Sequence, residues 1–304
     1  MKAAPNASVA IIVVNWNGYE FTRNCLQSLA RISQPDFQVI LVDNASEDDS
    51  STKLRAEFSH LTLLESEQNL GFTGGNNLGI AHALAEGYDY LLLLNNDTEV
   101  EPDFISLCLA TLQEDPGIAA VQPLMYYLHD KKTVWNAGGE YRKWMGASIS
   151  LTQRPISDRP YFTEWITGCC ILVKAEVVRE VGPLDDRYFA YFEDVDWSLR
   201  MRNAGYMLQV VPSAVIYHEA GASLKSKKSG KEGRLNPKIH YLNSRNQIFQ
   251  LRKHVRFPYS LIAWPYQMGK FSLYSIYFVL RGRKEKLRIM WEGIMEGLGH
   301  QQKF

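Results

Sequence analysis

The chain has little that would carry it through a membrane. A helix needs about 20 apolar residues to span a bilayer. The first apolar stretch of the chain, Val9–Val14, is far shorter than that. No basic region and cleavage site of the usual form surround it, so no secretory signal peptide is predicted. A second apolar tract, Phe257–Leu280, contains Pro265 and Lys270, which disfavour a spanning helix. We therefore expect a cytoplasmic protein.

Cysteine is also scarce. The four cysteines show none of the spacings typical of metal sites, and the two adjacent ones are poorly placed to form a disulfide. A reducing compartment is the simpler interpretation. The residues concerned are Cys25, Cys108, Cys169 and Cys170.

Two glycine-rich phosphate-binding motifs are missing. No Gly-Lys-Ser/Thr sequence of a Walker loop occurs, and the first predicted strand is not followed by the GxGxxG pattern of dinucleotide-binding domains. The segment that does follow it, Asn15-Trp16-Asn17-Gly18, also differs from the Gly-rich, basic loop that a nucleotidyltransferase on a similar sheet needs. These absences argue against a Walker-type nucleotide-binding protein, a dinucleotide-binding domain and a nucleotidyltransferase.

The formal net charge of zero conceals two oppositely charged regions. Residues 1–220 hold 16 Lys/Arg and 29 Asp/Glu, a net charge of −13, whereas residues 221–304 hold 17 and 4, a net charge of +13. The split predicts a body, 1–220, and a tail, 221–304, with different partners. An anionic membrane surface or a phosphate-bearing acceptor suits the tail. The alternative is that the tail packs on the acidic body.

The first 120 residues predict alternating strands and helices. This order indicates an α/β fold with a mostly parallel sheet flanked by helices. Segment 69–77 is interpreted as a Gly/Asn loop, and residues 193–203 as a helix. The predicted strands are Val9–Val14, Phe37–Val42, Leu61–Leu64 and the leucine run that ends at Leu94, and predicted helices follow through Leu29, Phe58 and Ala85.

Polar residues directly follow the leucine strand Leu91–Leu94. Four consecutive leucines are typical of a strand buried on both faces of a sheet. Ligands of open α/β sheets bind beyond the carboxyl ends of the strands, where Asn95, Asn96 and Asp97 stand. One carboxylate there can hold a divalent cation that also contacts phosphate oxygens. The alternative is an ordinary Asn/Asp turn.

The other strand ends offer further candidates. Asp43 can accept hydrogen bonds from a ribose or a base, or serve as a simple turn residue. The indole of Trp16 can stack on a base or belong to the core. In segment 69–77 the Gly74-Gly75 pair and Asn76 can present N–H groups to a pyrophosphate.

A second acidic cluster lies within Tyr191–Trp197. Successive residues of a helix turn by about 100°, so Asp194 and Asp196 point to different sides and one of them faces a site. Neighbouring aromatic side chains would raise the pKa of that carboxyl, which suits a general base. The alternative is a charged helix N-terminus. His218 ends a strand-like run and is either a metal ligand beside Asp97 or a structural histidine.

Taken together, these segments resemble the inverting family 2 glycosyltransferases of the GT-A fold, and bacterial rhamnosyltransferase-like members in particular. The resemblance covers about Val9–His218, and the tail follows it loosely. It rests on the order and spacing of five motifs: Val-Val-Asn-Trp-Asn-Gly (13–18), Val-Asp-Asn-Ala-Ser (42–46), Asn-Leu-Gly-Phe-Thr-Gly-Gly-Asn-Asn (69–77), Leu-Leu-Asn-Asn-Asp (93–97) and Tyr-Phe-Glu-Asp-Val-Asp-Trp (191–197).

The resemblance implies a role for each matching residue. Asp194 is the expected catalytic base, and Asp97 and His218 are the expected ligands of Mg²⁺ or Mn²⁺. Asn95 stands where the family's DxD element has its first Asp, which leaves fewer charges for the metal. Residues expected to bind the nucleotide sugar are Asn15, Trp16, Asp43, Asn69, Gly71, Asn76, Asn95 and Asn96, and those expected to bind the acceptor are Trp165, Gly168 and Glu193.

The resemblance also implies an activity of the hexosyltransferase class. A sugar would pass from a nucleotide sugar to a hydroxyl of a glycan or lipid-linked acceptor in cell-surface polysaccharide synthesis. Rhamnose from dTDP-rhamnose is the first choice of donor, and a UDP sugar such as UDP-galactofuranose is the second. A non-catalytic subunit that binds nucleotide sugar or membrane is a different class, which the joint presence of Asp97, Asp194 and His218 opposes.

The aromatic and basic residues of the tail predict where the enzyme works. Aromatic residues within Phe257–Leu280 stand beside the basic cluster Arg281–Lys286, a pattern typical of a segment lying on an anionic leaflet. We therefore expect the helices of the tail to bind the inner face of the cytoplasmic membrane, to pack on the body or to form a homodimer. A mobile basic loop, Lys225–Lys238, is expected before these helices. Tyr241, Arg245 and Asn246 are candidates to face a diphosphate. No nucleic-acid partner is expected.

Overall fold

The computed structural model describes residues 7–32, 36–220, 225–230 and 233–299. The chain forms two compact units. The N-terminal unit consists of Met1–Glu140, Ser150–Phe189 and Glu193–Ala220. The C-terminal unit consists of Tyr141–Ile149, Ala190–Phe192 and Gly221–Phe304, so two short segments of the body belong with the tail.

The strands are β1 (Val9–Asn15), β2 (Phe37–Asp43), β3 (Thr62–Glu65), β4 (Tyr90–Asn95), β5 (Thr98–Val100), β6 (Ile118–Tyr127), β7 (Val134–Asn136), β8 (Gly139–Arg142), β9 (Ala147–Ser150), β10 (Tyr161–Thr163), β11 (Cys170–Lys174), β12 (Met207–His218), β13 (Lys225–Gly230) and β14 (Gly233–Leu235). The helices are α1 (Tyr19–Leu29), α2 (Ser50–Glu57), α3 (Gly71–Ala85), α4 (Phe104–Glu114), α5 (Ala175–Val181), α6 (Glu193–Asn203), α7 (Pro237–His254), α8 (Ser260–Leu280) and α9 (Lys284–Gly299).

A mixed sheet organises the N-terminal unit. Its strand order is β10-β12-β6-β11-β4-β1-β2-β3, with β5 beside β12 and β7 beside β6. Strands β3, β2, β1 and β4 are parallel, as are β6 and β12. Strand β11 runs antiparallel between β4 and β6. The predicted α/β architecture is confirmed, and β11 is the main departure from a parallel sheet.

The leucines of β4 are buried on both faces of this sheet, as the sequence predicts. Leu92 and Leu94 belong to the core on the side of α1 and α4. Leu91 and Leu93 belong to the core on the side of α3, α5 and α6. A strand covered on both faces has no polar position until it ends, so Asn95 and the residues after it carry the first polar groups that can reach a ligand.

The register brings the polar ends of the strands together. Asn15 of β1 pairs with Asp43 of β2, and Val14 of β1 pairs with Asn95 of β4. The three strands therefore end at the same edge of the sheet. This edge is where ligands bind in folds of this kind.

Three predicted elements differ from the structure. The expected Gly/Asn loop is largely helical, because α3 begins at Gly71. The strand-like run expected to end at His218 is part of one long strand, β12, which begins at Met207 and has an irregular register between Val211 and Val215. The expected basic loop contains the antiparallel pair β13 and β14, and α7 begins at Pro237. Residues 231–232 of that region lie outside the described residues.

The C-terminal unit is built mainly from three helices. Glycines allow α7 and α9 to approach closely, since a Cβ on Gly293 would lie 2.4 Å from the carbonyl oxygen of Tyr241. Helix α8 buries a narrow stripe of Ala263, Gln267, Phe271 and Phe278. Among the helices that the structure describes, none is long and apolar enough to cross a membrane.

Candidate active site

Asn15 and Asp43 form a buried pair at the ends of β1 and β2. The side-chain amide of Asn15 donates to Asp43 Oδ1 at 2.9 Å. Ser46 donates its hydroxyl to the same oxygen at 2.7 Å and its main-chain N–H to Oδ2 at 3.0 Å. A carboxylate has about four acceptor positions, so Oδ2 retains room for one more donor. A ribose or base can supply that donor.

Trp16 is exposed beside this pair. Its side chain is 52% accessible, which removes the alternative that it belongs to the core. Asn17, the next residue, has a positive φ of 51° and its side-chain oxygen accepts the N–H of Glu47 at 2.7 Å. The two strand-end loops are therefore tied to each other, and the indole is free to stack on a planar ligand.

The start of α3 is fixed by asparagine side chains. Asn44 donates to the carbonyl of Gly71 at 2.9 Å and accepts the N–H of Leu70 at 2.9 Å. Asn69 accepts the N–H of Gly71 at 2.8 Å. Gly71 has a φ of +73°, and a Cβ there would lie 2.4 Å from the carbonyl oxygen of Phe189. Only glycine fits this position.

Two further glycines of α3 serve packing. A Cβ on Gly75 would meet Val14, and a Cβ on Gly79 would lie 2.5 Å from Ile12. Asn76 is buried, and its amide donates to the carbonyl of Phe72 within the helix at 2.8 Å. The expectation that Gly74-Gly75 presents N–H groups ahead of a helix is therefore wrong, because both residues lie inside α3.

Asn95 and Asn96 line the edge after β4. The main-chain N–H of Asn95 donates to the carbonyl of Cys169 at 2.8 Å. Asn96 donates its amide to Thr22 Oγ1 at 2.8 Å, and Thr22 donates onward to Asn15 Oδ1 at 2.8 Å. A chain of hydrogen bonds thus runs from the end of β4 to the end of β1.

Asp97 and His218 face each other. Oδ1 of Asp97 lies 3.1 Å from Nε2 of His218, and both side chains are largely buried. The pairing of β5 with β12 brings them together, because Thr98 is opposite His218. Trp135 packs edge-on against the imidazole with ring centroids 4.2 Å apart, which restricts the orientation of the ring.

This pair fits a small divalent cation. Neighbouring ligands of an octahedral Mg²⁺ at 2.0–2.1 Å lie about 3 Å apart, as these two atoms do. A carboxylate with an imidazole also suits Mn²⁺. Within the described part of the chain, no group of three or more His, Cys, Asp or Glu side chains could hold a metal. A cation at this place would have two protein ligands, and phosphate oxygens and water would complete its coordination.

Asp194 is held at the same edge by main-chain donors. Its Oδ2 accepts the N–H of Gly168 at 2.8 Å, and its Oδ1 accepts the N–H of Val195 at 2.8 Å. Gly168 directly precedes Cys169, whose carbonyl is bonded to Asn95. The candidate base and the end of β4 therefore border one short segment of chain.

The two carboxyls at the start of α6 have raised pKa values. Burial raises the pKa of Asp194, while the N–H groups of Gly168 and Val195 oppose the shift. Burial, aided by the charge of Asp194, raises the pKa of Glu193 well above its usual range. Oε2 of Glu193 has no hydrogen-bond partner among the described residues. A partly buried carboxylate with a raised pKa is suited to accept a proton.

Asp196 has a structural role. It is fully buried and forms an ion pair with Arg200 at 2.8 Å, one turn along α6. Arg200 in turn donates to the carbonyls of Val181 and Pro183. The expected division between Asp194 and Asp196 on this helix is therefore observed.

Trp165 and Gly168 sit on either side of a well-anchored segment. The indole of Trp165 is buried against Gly139 and donates to the carbonyl of Glu140 at 3.2 Å. Ser198 of α6 accepts the N–H of Ile166 at 3.0 Å. Hydrogen bonds at Trp165 and Ile166 thus fix the segment that leads into β11.

Several site residues were missed by sequence reasoning. Asn44 lies within the motif at 42–46, but the spacing of the motifs does not predict its hydrogen bonds to Leu70 and Gly71. Trp135 and Thr22 carry no local signal at all. The four cysteines are buried. Burial raises the pKa of Cys25 to about 12, so it is a packing residue rather than a nucleophile.

Curated relatives share most of the length of this chain. It is 25% identical over 92% of its length to an N-acetylglucosaminyl-diphospho-decaprenol L-rhamnosyltransferase of Mycobacterium tuberculosis, covering 97% of that protein. It is 23% identical over 96% of its length to the dTDP-rhamnosyl transferase RfbF of Shigella flexneri, covering 95% of that protein.

Solved structures share the fold at low identity. The mannosyltransferase PcManGT of Pyrobaculum calidifontis, in complex with GDP-Man and Mn²⁺, is 14% identical with a TM-score of 0.60, over 99% of this chain and 90% of that one. GalNAc-T7 with UDP, GalNAc and Mn²⁺ is 16% identical with a TM-score of 0.60, over 70% of this chain. This chain spans only 44% of the GalNAc-T7 chain.

The family model described as "Glycosyl transferase family 2" matches residues 10–182, more than half of the chain. That range contains the strand ends with Asn15, Asp43 and Asp97, and it stops before Asp194. The chain therefore belongs to glycosyl transferase family 2 and is a glycosyltransferase of the hexosyltransferase class with the GT-A fold.

Proposed function

We propose that this enzyme transfers rhamnose from dTDP-rhamnose, with inversion, to a hydroxyl of an N-acetylglucosaminyl diphospho-lipid in cell-surface polysaccharide synthesis. The observation that carries the proposal is the grouping of Asp97, His218 and Asp194 at one edge of the sheet. The donor and the acceptor are inferred from what the two curated relatives are named for.

Asp194 would act as the base. Its carboxylate takes the proton of the acceptor hydroxyl while the hydroxyl oxygen attacks the anomeric carbon. The attack comes from the face opposite the diphosphate, and the bond to the diphosphate oxygen breaks, so the configuration inverts. A single base suffices because no covalent glycosyl-enzyme intermediate is formed.

Other residues would hold the donor. Asp97 and His218 would bind Mg²⁺ or Mn²⁺, which when present neutralises the charge that develops on the diphosphate leaving group. Trp16 would stack on the thymine, and Asp43 Oδ2 would accept a hydrogen bond from the base or ribose. The asparagine and glycine residues expected to line the sugar and phosphate pocket are Asn15, Asn69, Gly71, Asn76, Asn95 and Asn96. Glu193, Gly168 and Trp165 would border the acceptor.

A donor panel tests the proposal. Nucleoside diphosphate release is measured with dTDP-rhamnose, UDP-galactofuranose and other nucleotide sugars, using a short-chain N-acetylglucosaminyl diphospho-lipid as acceptor. We expect turnover of dTDP-rhamnose with Mn²⁺ or Mg²⁺ and none with EDTA. Turnover of a UDP sugar instead would show that this sugar, and not dTDP-rhamnose, is the donor. No turnover and no thermal shift with any donor would favour a non-catalytic subunit that binds membrane.

We also propose that the C-terminal unit binds an anionic membrane surface. Helix α8 exposes a broad apolar face and contains no acidic residue, and Leu273, on this face, is 69% accessible. Other exposed side chains on it are Leu261, Ile262, Ile276, Val279 and Leu280. Basic Arg281 and Arg283 follow directly. Apolar area beside cations matches an interfacial helix on an anionic leaflet.

Vesicle sedimentation tests this surface. We expect the enzyme to sediment with vesicles that contain phosphatidylglycerol and to remain free with phosphatidylcholine alone. Leu273→Glu should weaken binding much more than Asn24→Glu, which adds the same charge at an exposed position of α1. Equal effects of the two variants would mean that only charge matters. A dimer that dissociates in Leu273→Glu, without vesicle binding, would identify a second copy as the occupant.

A further inference from the structure

Two buried amides of α7 hold the segment that leads into the acidic helix. Nδ2 of Asn246 donates to the carbonyls of Ala190 and Tyr191, both at 2.8 Å. Nε2 of Gln250, one turn later on α7, donates to the carbonyl of Phe192 at 3.0 Å. Both amide side chains are fully buried. Three consecutive carbonyls of the chain are therefore fixed by side chains of one helix face.

The segment that they hold has an unusual backbone. Tyr191 has a φ of +71° and Phe192 a φ of +73°, a region that bulky L-residues rarely adopt. Such conformations persist only where the surroundings impose them. The amide hydrogen bonds of Asn246 and Gln250 supply that constraint, because they fix the direction of each peptide group.

This backbone sets the start of α6. Phe192 is the last residue before α6, and Asp194 is the second residue of the helix. The carboxylate of Asp194 must reach the N–H of Gly168, which it does at 2.8 Å. A rotation of the peptide groups at 191–192 would move the first turn of α6, and Asp194 with it.

The expectation that Asn246 faces a diphosphate is wrong, because its amide protons are donated to the carbonyls of Ala190 and Tyr191.

We propose that Asn246 and Gln250 are positioning residues for the catalytic base. The proposal rests on the proposed role of Asp194 and adds that α7 helps to determine turnover without touching a substrate. Displacing a reacting group by about 1 Å can cost on the order of 100-fold in rate. Loss of one of these side-chain amides should therefore reduce kcat while the nucleotide sugar still binds.

Gln247 provides a matched control on the same helix. It is also buried, and its Nε2 donates to a main-chain carbonyl, that of Gly146, at 2.7 Å. Gln250→Met and Gln247→Met remove the same group and keep nearly the same volume. They differ in which segment loses its donor, since Gly146 belongs to the β8–β9 hairpin and not to the approach to α6.

The experiment compares kcat, donor KM and amide hydrogen exchange in the two variants. Gln250→Met should lower kcat about 10- to 100-fold and leave the donor KM within about twofold. Hydrogen exchange of the main-chain N–H groups of Gly168 and Val195, which donate to the carboxylate of Asp194, should become faster. Gln247→Met should match the wild type in all three measurements, even if both variants lose similar thermal stability.

The outcomes separate this inference from the proposed function. If the wild type turns over no donor, the proposed function fails, and the exchange measurement still tests the positioning. An unchanged kcat and unchanged exchange in Gln250→Met would overturn the inference, as would equal losses in both variants. If Gln250→Met loses its cooperative unfolding transition, Asn246→Ser, which removes the bonds to Ala190 and Tyr191 without adding volume, takes its place.

Discussion

The carboxylate of Asp194 and the main-chain N–H of Gly168 are joined by a 2.8 Å hydrogen bond across 26 residues of sequence. A Cβ on Gly168 would lie 3.1 Å from the ring of Phe72 and 3.5 Å from the Cβ of Asp194. Because Cys169 follows and is bonded to Asn95, this contact sets the candidate base beside the end of β4.

Asp194→Asn should abolish transfer and preserve donor binding. The amide keeps the size of the side chain and cannot take up the proton, so we expect kcat to fall by about 10²- to 10⁴-fold. Steady-state kinetics and donor titration measure the two effects. Asp196→Asn, the same change two residues later, breaks the ion pair with Arg200 and should lower thermal stability instead. Loss of donor binding in Asp194→Asn would indicate a structural role.

Turnover should depend on the ionisation of Asp194. Burial raises the pKa of this carboxyl above the ordinary 3.8. A general base acts only when deprotonated, so kcat/KM should fall with unit slope as pH decreases through the raised pKa. The acidic limb of the pH–rate profile should thus lie above 3.8. A profile that stays flat down to that pH would contradict the assignment.

The substitution Glu193→Gln should raise the melting temperature, and the gain over the wild type should be larger at high pH than at low pH. The pKa of Glu193 is raised by burial above the ordinary 4.5, so the folded state binds its proton more tightly than the unfolded state. The wild type therefore loses stability as pH rises from 4.5 towards the raised pKa, whereas glutamine does not titrate. Melting temperatures at pH 5 and pH 8 test this. A difference between variant and wild type that shrinks as pH rises would show that the carboxylate is stabilised when charged.

Asp97→Asn and His218→Gln should weaken metal binding. Each removes one of the two protein ligands that the 3.1 Å pair offers, so the dissociation constant for Mn²⁺ should rise by at least about tenfold. Electron paramagnetic resonance of free Mn²⁺, with dTDP present, measures it. Glu99→Gln, which removes a carboxylate only two residues from Asp97, is the control. Equal dissociation constants in all variants would show that the cation binds elsewhere or through the nucleotide alone.

Local patterns were sufficient to predict most of the fold. The apolar runs of β1, β2 and β4 identify buried strands, and the polar residue that ends each one lies at the expected edge of the sheet. The bounds of α6 agree with the prediction at both ends, because acidic residues at its start and Gly205 after its end are local signals. The fold class and the strand-end candidates were therefore determined by the sequence itself.

Tertiary structure decided what each polar group contacts. Gly74 and Gly75 suggested a phosphate loop, yet both lie inside α3, and a Cβ on Gly75 would lie 2.9 Å from the side chain of Val14 of β1. The sequence does not reveal that Gly168 holds Asp194, or that Asn246 holds the chain before it. Short-range signals arise from backbone periodicity and capping, which depend on neighbouring residues. Hydrogen bonds between distant segments depend on how helices and strands pack, and one sequence does not record that.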